Sequence, residues 1–338
     1  MVSIGVIGLG FMGSKWARAL SEHPAAELTL VSDLRQELGR ELAATWGAEY
    51  VHDPLEAAAH PHLDGVVVAT PEHAHVDLAL AALEAGKTLA VEKPLAHTVE
   101  DAELIRDRAT HLDLPVLVGH ILRFEPRYAA IRRAIESGEI GSVQAVRSER
   151  IGLVSDQDIL QGRTSIALYY GVHEFDLARW YAGEVSRIYA ERSQGVVAAL
   201  GYQVEDLYSA TLRFADGAHG TAMVGWSLPP AIPGWGLAGF TVIGEEAVVR
   251  VSQGELGFTK VTRDGVAHED VHYAPEVHGR LFGALGIEVD HFVRCAQGAA
   301  TPLCTADDGV EAVRISLAMV TSAEKGEPVD LAGSLTEE

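Results

Sequence analysis

The first part of the chain alternates short apolar runs with longer segments of helical periodicity. The apolar runs lie at 2–7, 28–32, 66–69, 88–91 and 115–118. Helical spacing of apolar residues occurs from the glycine-rich turn to about residue 21, then at 35–46, 75–85 and 99–111. Buried strands alternating with helices are typical of a parallel sheet with helices on both faces. The pattern therefore predicts a doubly wound α/β domain over residues 1–120.

The pattern changes after residue 120. Strand-like runs, several with half-exposed alternation, lie at 143–151, 185–192, 207–214, 218–226, 240–243 and 247–251. Asp216-Gly217 and Gly244-Glu245-Glu246 have the residue types of hairpin turns. Helical segments are predicted at 126–137, 165–181, 281–296 and 307–324. Residues 121–338 are thus predicted to form an α+β domain with a mainly antiparallel sheet.

Composition narrows the class of protein. The chain has 338 residues, of which 48% are hydrophobic and 22% charged, as in ordinary soluble globular proteins. Its formal charge of -22 repels phosphate backbones and anionic lipids, so neither nucleic acid nor a membrane surface is expected as a partner. The two cysteines fit no metal motif or disulfide framework. With no signal peptide or membrane span recognisable, we expect a cytoplasmic protein.

A glycine-rich turn follows the first strand and opens the first helix. Its sequence is Gly8-Leu9-Gly10-Phe11-Met12-Gly13. The first glycine permits the turn, the second lets the backbone approach a pyrophosphate, and the third lets helix and strand pack closely. The helix N-terminus offers free N–H groups to the phosphates. The alternative is a tight turn with a packing glycine, but the strand–turn–helix context favours dinucleotide binding.

Asp33 ends the second strand, where the adenosine ribose of a bound dinucleotide lies. Its carboxylate suits both ribose hydroxyls and would repel a 2′-phosphate by about 1 to 4 kcal/mol. NAD is therefore expected rather than NADP, although the nearby Arg35 could accommodate the phosphate. The alternative role for Asp33 is a helix cap. Thr70, Pro71 and His73 follow the third strand at the same edge and are further candidates for cofactor contact.

Glu92-Lys93-Pro94 follows the fourth apolar run. A lysine just beyond such a strand lies near the nicotinamide end of a bound cofactor, which points to hydride transfer. A lone lysine is more often a solvated surface charge, but its position after the strand favours a functional role. Glu92 is a candidate cofactor contact.

The segment 165–181 places Tyr169, His173, Asp176 and Trp180 at steps of four, three and four, so an α-helix would present them on one face. Such faces commonly pack into a core. A histidine, with a reference pKa near neutral, is also suited to removing a hydroxyl proton as hydride leaves carbon.

Taken in order, these motifs resemble the Gfo/Idh/MocA oxidoreductases. The resemblance rests on the glycine turn, Asp33, Ala69-Thr70-Pro71, Glu92-Lys93-Pro94, Gly171-Val172-His173-x-x-Asp176 and Phe214-Ala215-Asp216-Gly217. It implies a Rossmann domain, a second domain with an open sheet, and NAD(P)-dependent oxidation or reduction of sugars, cyclitols and their derivatives. It also implies that the open sheet forms a subunit interface, so we expect a homodimer or homotetramer.

The resemblance also assigns residues. Lys93 matches the catalytic lysine, Pro94 a proline often preceded by a cis bond, and His173 the general acid/base. Tyr169 stands where many members carry an aspartate, so it could donate a proton to a ketone or line the pocket, and Asp176 could orient His173 instead.

His120 and Arg123, at the crossover between the domains, are candidate substrate contacts, as are Lys93 and His173. Hydride transfer between carbon and nicotinamide requires no metal, and none is expected.

Two other functions stay open at this point. Some relatives are redox-assisted glycoside hydrolases that hold NAD tightly, and others are non-catalytic regulators that bind NAD or sugar. The presence of both Lys93 and His173 argues against a regulator. The sequence does not specify the substrate or the preferred direction of reaction.

Overall fold

The computed structural model describes residues 1–232, 236–252, 258–263, 265–268 and 270–331. Residues 332–338, the end of the predicted second domain, lie outside this range. Residues 1–119 form β1 (Val2–Ile7), α1 (Phe11–Ser21), β2 (Ala26–Ser32), α2 (Gln36–Trp46), β3 (Glu49–Tyr50), α3 (Pro54–Ala58), β4 (Gly65–Val68), α4 (His75–Glu84), β5 (Thr88–Glu92), α5 (Val99–Leu112) and β6 (Val116–Gly119).

The middle of the chain forms α6 (Pro126–Glu136), β7 (Val143–Leu153), α7 (Gln157–Leu160), a π-helical turn (Ala167–Gly171), α8 (Val172–Ala182), β8 (Val185–Ser193), β9 (Leu207–Phe214), β10 (His219–Leu228), β11 (Leu237–Gly244), β12 (Val248–Ser252), β13 (Thr259–Thr262) and β14 (Gly265–His268). The last elements are β15 (Glu276–Val277), β16 (Arg280–Leu281), α9 (Gly283–Ala296), α10 (Ala306–Lys325) and β17 (Val329–Asp330).

The first sheet is parallel throughout. Among the described residues six strands form it, in the order β3-β2-β1-β4-β5-β6. The order reverses between β1 and β4, so their carboxyl ends flank the crevice where doubly wound sheets bind ligands. All residues of β4 and β5 are buried, and most of their side chains are apolar, as a sheet covered on both faces requires. The predicted Rossmann fold is confirmed.

The second sheet is mixed and mostly antiparallel. Seven described strands form it, in the order β12-β11-β7-β10-β9-β8-β17, and β7 and β10 are the parallel pair. Buried and exposed residues alternate along β9, so one face of the sheet packs and the other is open. Hairpin turns occur at both predicted places, with the Phe214 N–H donating to Ala218 and the Gly244 N–H to Ala247. The predicted open, mainly antiparallel sheet is confirmed.

The chain forms two compact units, and both are discontinuous in sequence. It contains Met1–Glu125 together with His272–Val313, and the second contains Pro126–Val271 and the described residues from Arg314 onward. Helix α9 belongs to the first unit because its apolar side chains, Phe292 among them, pack into the core of the parallel sheet. The division into domains at residue 120 stays a prediction. The first unit differs from the predicted domain because it continues to Glu125 and includes His272–Val313.

Several short elements were not predicted, among them α3, β3, α7 and β13 to β17. Helix α3 is five residues long, too short to show a period, and is set by Asp53, whose carboxylate accepts the Leu55 N–H (2.9 Å). Strand β3 has two residues. The segment 165–181, predicted as one α-helix, begins as a π-helical turn. Among the described residues, none of the helices combines the length and apolar character needed to cross a bilayer.

Candidate functional site

The glycine turn has the geometry that its three glycines predict. Gly8 has φ +88°, in the left-handed region, and a Cβ there would lie 2.6 Å from the carbonyl oxygen of Ala69. A Cβ on Gly13 would collide with the carbonyl oxygen of Gly8. Both residues are therefore required where β1, the turn and α1 meet the end of β4.

The second glycine leaves space for a ligand. A Cβ on Gly10 would meet no atom within 4 Å. The first turn of α1 has no side-chain cap and no acidic residue, so its N–H groups and partial positive charge remain available to an anion. These features fit the pyrophosphate of a dinucleotide. Phe11 is exposed in this first turn, and Met12 is partly buried beside it.

Asp33 is tied to the glycine turn and to Arg35. Its Oδ2 accepts the Leu9 N–H (2.8 Å), and Oδ1 accepts the backbone N–H of Arg35 (2.8 Å). The Arg35 guanidinium donates to both oxygens, each at 2.9 Å. Burial raises the pKa of Asp33, but the hydrogen bonds from Arg35 and Leu9 together outweigh it and lower the pKa. Asp33 is therefore an anion, and the mostly exposed Arg35 covers it here.

The turns after β4 and β5 lie at the same edge of the sheet, since these strands pair in parallel. Thr70 is partly buried, and Pro71 and His73 are exposed. Lys93 is the first residue beyond β5 and is partly buried, and the Lys93–Pro94 peptide bond is cis, as the resemblance implied. The structure thus brings the predicted cofactor residues of the first unit, apart from Glu92, to one edge.

Glu92 faces the core rather than this edge. Its Oε1 accepts the indole N–H of Trp16 (2.9 Å), and a Cβ on Gly119 would lie 3.1 Å from Oε2. Burial raises the pKa of Glu92, against the effects of Trp16 and Lys93. The fully buried Glu288 of α9 is close enough to feel this carboxylate, because burial first and Glu92 second raise its pKa well above the usual value. A cofactor contact of Glu92 stays a prediction.

His120 and Arg123 are both buried, at 1% and 4% exposure. The Arg123 guanidinium donates to the carbonyl of Leu303 (2.8 Å) and pairs with the Asp308 carboxylate (3.0 Å). These contacts fasten the turn after β6 to the start of α10. Substrate contact by His120 or Arg123 stays a prediction.

The helical segment that carries His173 is anchored at its start by Glu205. The Glu205 carboxylate accepts the Ile166 N–H (2.7 Å) and the Ser165 hydroxyl. The backbone then makes a π-helical turn in which the Val172 N–H reaches the Ala167 carbonyl, five residues back. Such turns are frequent at functional sites.

The π-helical turn precedes the α-helix that carries most of the predicted common face. His173, Asp176 and Trp180 lie in α8 and keep α-helical spacing, with the first two buried. Tyr169 lies within the π-helical turn, so its spacing from His173 is not that of an α-helix. That Tyr169 shares the face of the other three residues stays a prediction.

An aromatic cluster holds Tyr169. Its ring centroid lies 4.8 Å from that of Tyr170 and 6.0 Å from that of Trp226. The Tyr170 hydroxyl donates to the Asp156 carboxylate (3.0 Å), and burial, with Asp156, raises the pKa of Tyr170 well above its usual value. Tyr170 therefore stays neutral, and it fixes one side of the Tyr169 ring.

A buried ion pair holds α8 against β7 beside His173. The Arg150 Nε donates to Glu174 at 2.6 Å, and Arg150 also donates to the Tyr128 hydroxyl (3.3 Å). Burial raises the pKa of Glu174, and Arg150 opposes this effect. The pair fixes the backbone of the residue that follows His173.

The predicted catalytic residues are divided between the units: Lys93 belongs to the first, and Tyr169, His173 and Asp176 belong to the second. Sequence reasoning missed the supporting residues Glu205, Arg150, Glu174 and Glu288. For Glu205 a signal existed, since it begins an acidic pair just before a strand. The others are ordinary in sequence and become notable only when buried.

Both halves of the chain match models of one protein family. Residues 2–120 match "Oxidoreductase family, NAD-binding Rossmann fold", and residues 132–331 match "Oxidoreductase family, C-terminal alpha/beta domain". The chain is 30% identical to inositol 2-dehydrogenase 1 of Saccharopolyspora erythraea, over 98% of this chain and 96% of that one. It is 27% identical to scyllo-inositol 2-dehydrogenase (NAD(+)) of Bacillus subtilis, with the same coverage.

Solved structures agree with this result. The crystal structure of GenD2 from gentamicin A biosynthesis, in complex with NAD, aligns with a TM-score of 0.84 at 26% identity, over 98% of this chain and 97% of that one.

The fold and the family descriptions define an NAD-binding oxidoreductase. More specifically, the chain belongs to the Gfo/Idh/MocA family. The predicted family, the oxidoreductase class and NAD as cofactor are confirmed.

Proposed function

We propose that this chain is an NAD-dependent dehydrogenase acting on a secondary alcohol of a cyclitol, or on the corresponding ketone in reverse. Similarity to two inositol 2-dehydrogenases over nearly the whole chain supports a cyclitol. The observation that carries the proposal is the position of Lys93, immediately beyond β5 at the edge that also holds the glycine turn.

In oxidation, a hydride leaves the substrate carbon and a proton leaves its hydroxyl group. NAD held at the glycine turn and Asp33 would supply the hydride acceptor. His173 is proposed to accept the hydroxyl proton as general base. The ammonium group of Lys93 donates a hydrogen bond to the same oxygen and stabilises the negative charge that develops on it. In reduction His173 returns the proton as general acid.

Two further residues are proposed to assist. Asp176, one turn after His173, orients the imidazole. Tyr169, held by its aromatic neighbours, either donates a proton or forms a wall of the substrate pocket. Tyr169→Phe separates these roles, because loss of a proton donor lowers kcat, whereas loss of a pocket contact mainly raises KM.

The remaining predicted contacts belong to the same proposal. The residues assigned to the cofactor are Gly8, Gly10, Phe11, Met12, Gly13, Asp33, Arg35, Thr70, Pro71, His73, Glu92 and Lys93. The residues assigned to the substrate are Lys93, His120, Arg123 and His173.

The test is a panel of inositol stereoisomers, other cyclitols and hexoses, each with NAD and NADP, followed by the absorbance of the reduced cofactor. We expect turnover of at least one cyclitol with NAD. His173→Ala should lower kcat by about 10²- to 10⁴-fold, and Lys93→Ala should also lose turnover. His111→Ala and Lys325→Ala, at exposed positions, serve as controls.

Three results would contradict the proposal. One is the absence of cyclitol turnover across the panel. Another is sugar release without net NADH, the behaviour of a redox-assisted hydrolase. The third is a Lys93→Ala variant as active as wild type.

A cytoplasmic location and a homodimeric or homotetrameric assembly through the open sheet face are also proposed. The alternating exposure of β9 supports the second point, because the described residues leave every second side chain of that strand exposed. Light scattering on the purified protein tests it, and a monomer at micromolar concentration would contradict it.

A further inference from the structure

His75, the first residue of α4, connects the turns that follow β4 and β5. It is 1% exposed. Its Nδ1 lies 2.9 Å from the carbonyl oxygen of Pro94, and its Nε2 lies 3.0 Å from that of Thr70. Both are hydrogen-bond distances. A single imidazole ring therefore spans two backbone segments at the carboxyl edge of the sheet.

The connection lies where the strand ladder has ended. The paired register of β4 and β5 stops at Val68 and Val91. Beyond these residues, the segment after β4 enters the short helix Glu72–Ala74, and the segment after β5 enters the turn that carries Lys93. The side chain of His75 thus links the two segments beyond the point where the main-chain pairing of β4 and β5 ends.

The ring chemistry limits how this link is made. A neutral imidazole donates one hydrogen bond, whereas an imidazolium donates two. Burial lowers the pKa of His75, and the carbonyls of Thr70 and Pro94 and the charge of Glu72 oppose it with smaller effects. Burial therefore favours the neutral ring, which donates to one of the two carbonyls while its other nitrogen lies beside the second.

We propose that His75 is a positioning residue for Lys93, because it joins the Thr70 carbonyl to the Pro94 carbonyl and so fixes the lysine-bearing turn against the neighbouring cofactor turn. It acts through the backbone and touches neither cofactor nor substrate. The proposal rests on the proposed function, in which Lys93 takes part in hydride transfer.

The first test is amide hydrogen exchange on the full chain, which does not depend on activity. His75→Phe fills the space without a donor, and His75→Gln keeps one. His111→Gln, at an exposed position of α5, is the matched control. In the phenylalanine variant, peptides covering 69–75 and 92–97 should exchange on the order of tenfold faster, the size of one lost hydrogen bond, with a smaller effect for glutamine.

If His75→Phe does not fold, the glutamine variant alone carries this test. Wild-type exchange of both turns in every folded His75 variant would overturn the proposal.

The second test separates positioning from cofactor binding. In His75→Gln, kcat should fall by about 10- to 100-fold, as expected when a reacting group is misplaced by about an ångström. The Kd of NADH, measured by fluorescence, should stay near the wild-type value. Weaker NADH binding with unchanged kcat would overturn the positioning role. Faster exchange of both turns with unchanged kcat would confirm the link but overturn the positioning role. If Lys93→Ala were also as active as wild type, the proposed function would be contradicted instead.

Discussion

Glu288 is an acidic residue enclosed in an apolar core. It lies on α9 with 0% exposure, and neither carboxylate oxygen has a hydrogen-bond partner among the described residues. Burial, and then the nearby Glu92, raise its pKa well above 4.5. Because an unpaired buried charge is costly, the folded protein keeps this group protonated at a pH where the unfolded chain has lost the proton.

This linkage predicts that Glu288→Gln stabilises the protein at neutral pH. Above about pH 4.5 the folded state binds a proton that the unfolded state does not, so wild-type stability falls by up to about 1.4 kcal/mol per pH unit until the raised pKa is reached. Glutamine is neutral and similar in shape, so it removes that dependence.

Denaturant unfolding between pH 5 and 8 measures the effect. The difference between variant and wild type should grow with pH, and Glu41→Gln, exposed on α2, should show no such trend. A difference independent of pH would contradict the prediction.

Asp33 is the residue that we expect to discriminate between the two nicotinamide cofactors. Asp33→Asn keeps an acceptor for the Leu9 N–H but removes the negative charge that would oppose a 2′-phosphate. The ratio of kcat/KM for NAD to that for NADP should therefore fall by about tenfold or more, equivalent to about 1.4 kcal/mol or more.

Steady-state rates with both cofactors test this prediction. Asp77→Asn, at an exposed position of α4, should keep the wild-type ratio. An unchanged ratio in Asp33→Asn would show that selectivity arises elsewhere.

At the scale of elements, β1, the glycine turn and α1 separate packing from binding. Gly13 is needed because the carbonyl of Gly8 occupies the space of a Cβ, whereas Gly10 faces open space. Two glycines of one motif thus have different physical roles, and the same substitution at each should have different consequences.

We expect Gly13→Ala to lower the free energy of unfolding by about 1 to 3 kcal/mol, the usual cost of overpacking, or to prevent folding. Gly10→Ala should leave stability within about 0.5 kcal/mol but weaken NADH binding, because the new methyl group stands where the pyrophosphate approaches. Thermal unfolding and NADH titration of both variants measure the two effects. Equal loss of stability in both would contradict the distinction.

At the scale of the whole molecule, the path of the chain matters more than any single motif. Helix α9 comes late in sequence but completes the core of the first unit, through Leu285, Val289 and Phe292. The alternation of strands and helices in residues 1–120 does not indicate that a later helix packs against them.

Phe292→Ala should therefore destabilise the unit that binds NAD, although Phe292 lies far from the glycine turn in sequence. Removing a fully buried phenylalanine costs about 3 to 5 kcal/mol. Ile287→Ala, exposed on the same helix, should cost less than about 0.5 kcal/mol. Unfolding of the two variants, followed with and without NADH, compares them. Equal stability of the two would show that α9 does not support this core.

Much of the fold was predictable because it depends on local patterns. Apolar runs indicated the five longer strands of the first sheet. The residue types of two hairpin turns indicated the antiparallel strands of the second sheet. Short elements such as α3 and β3 carry too few residues for a period, and the π-helical turn around Tyr169 leaves no signal in residue spacing.

The sequence by itself determined the glycine turn, the acidic end of β2 and the lysine after β5, because each depends on residues a few positions apart in a strand and its following turn. It thereby determined the family and the cofactor. The tertiary structure alone revealed that His75 spans two turns, that Glu205 anchors the segment before His173, and that Glu288 lies beside Glu92. These relations join residues distant in sequence, and burial, which changes the energy of a charge or hydrogen bond, exists only once the chain has folded.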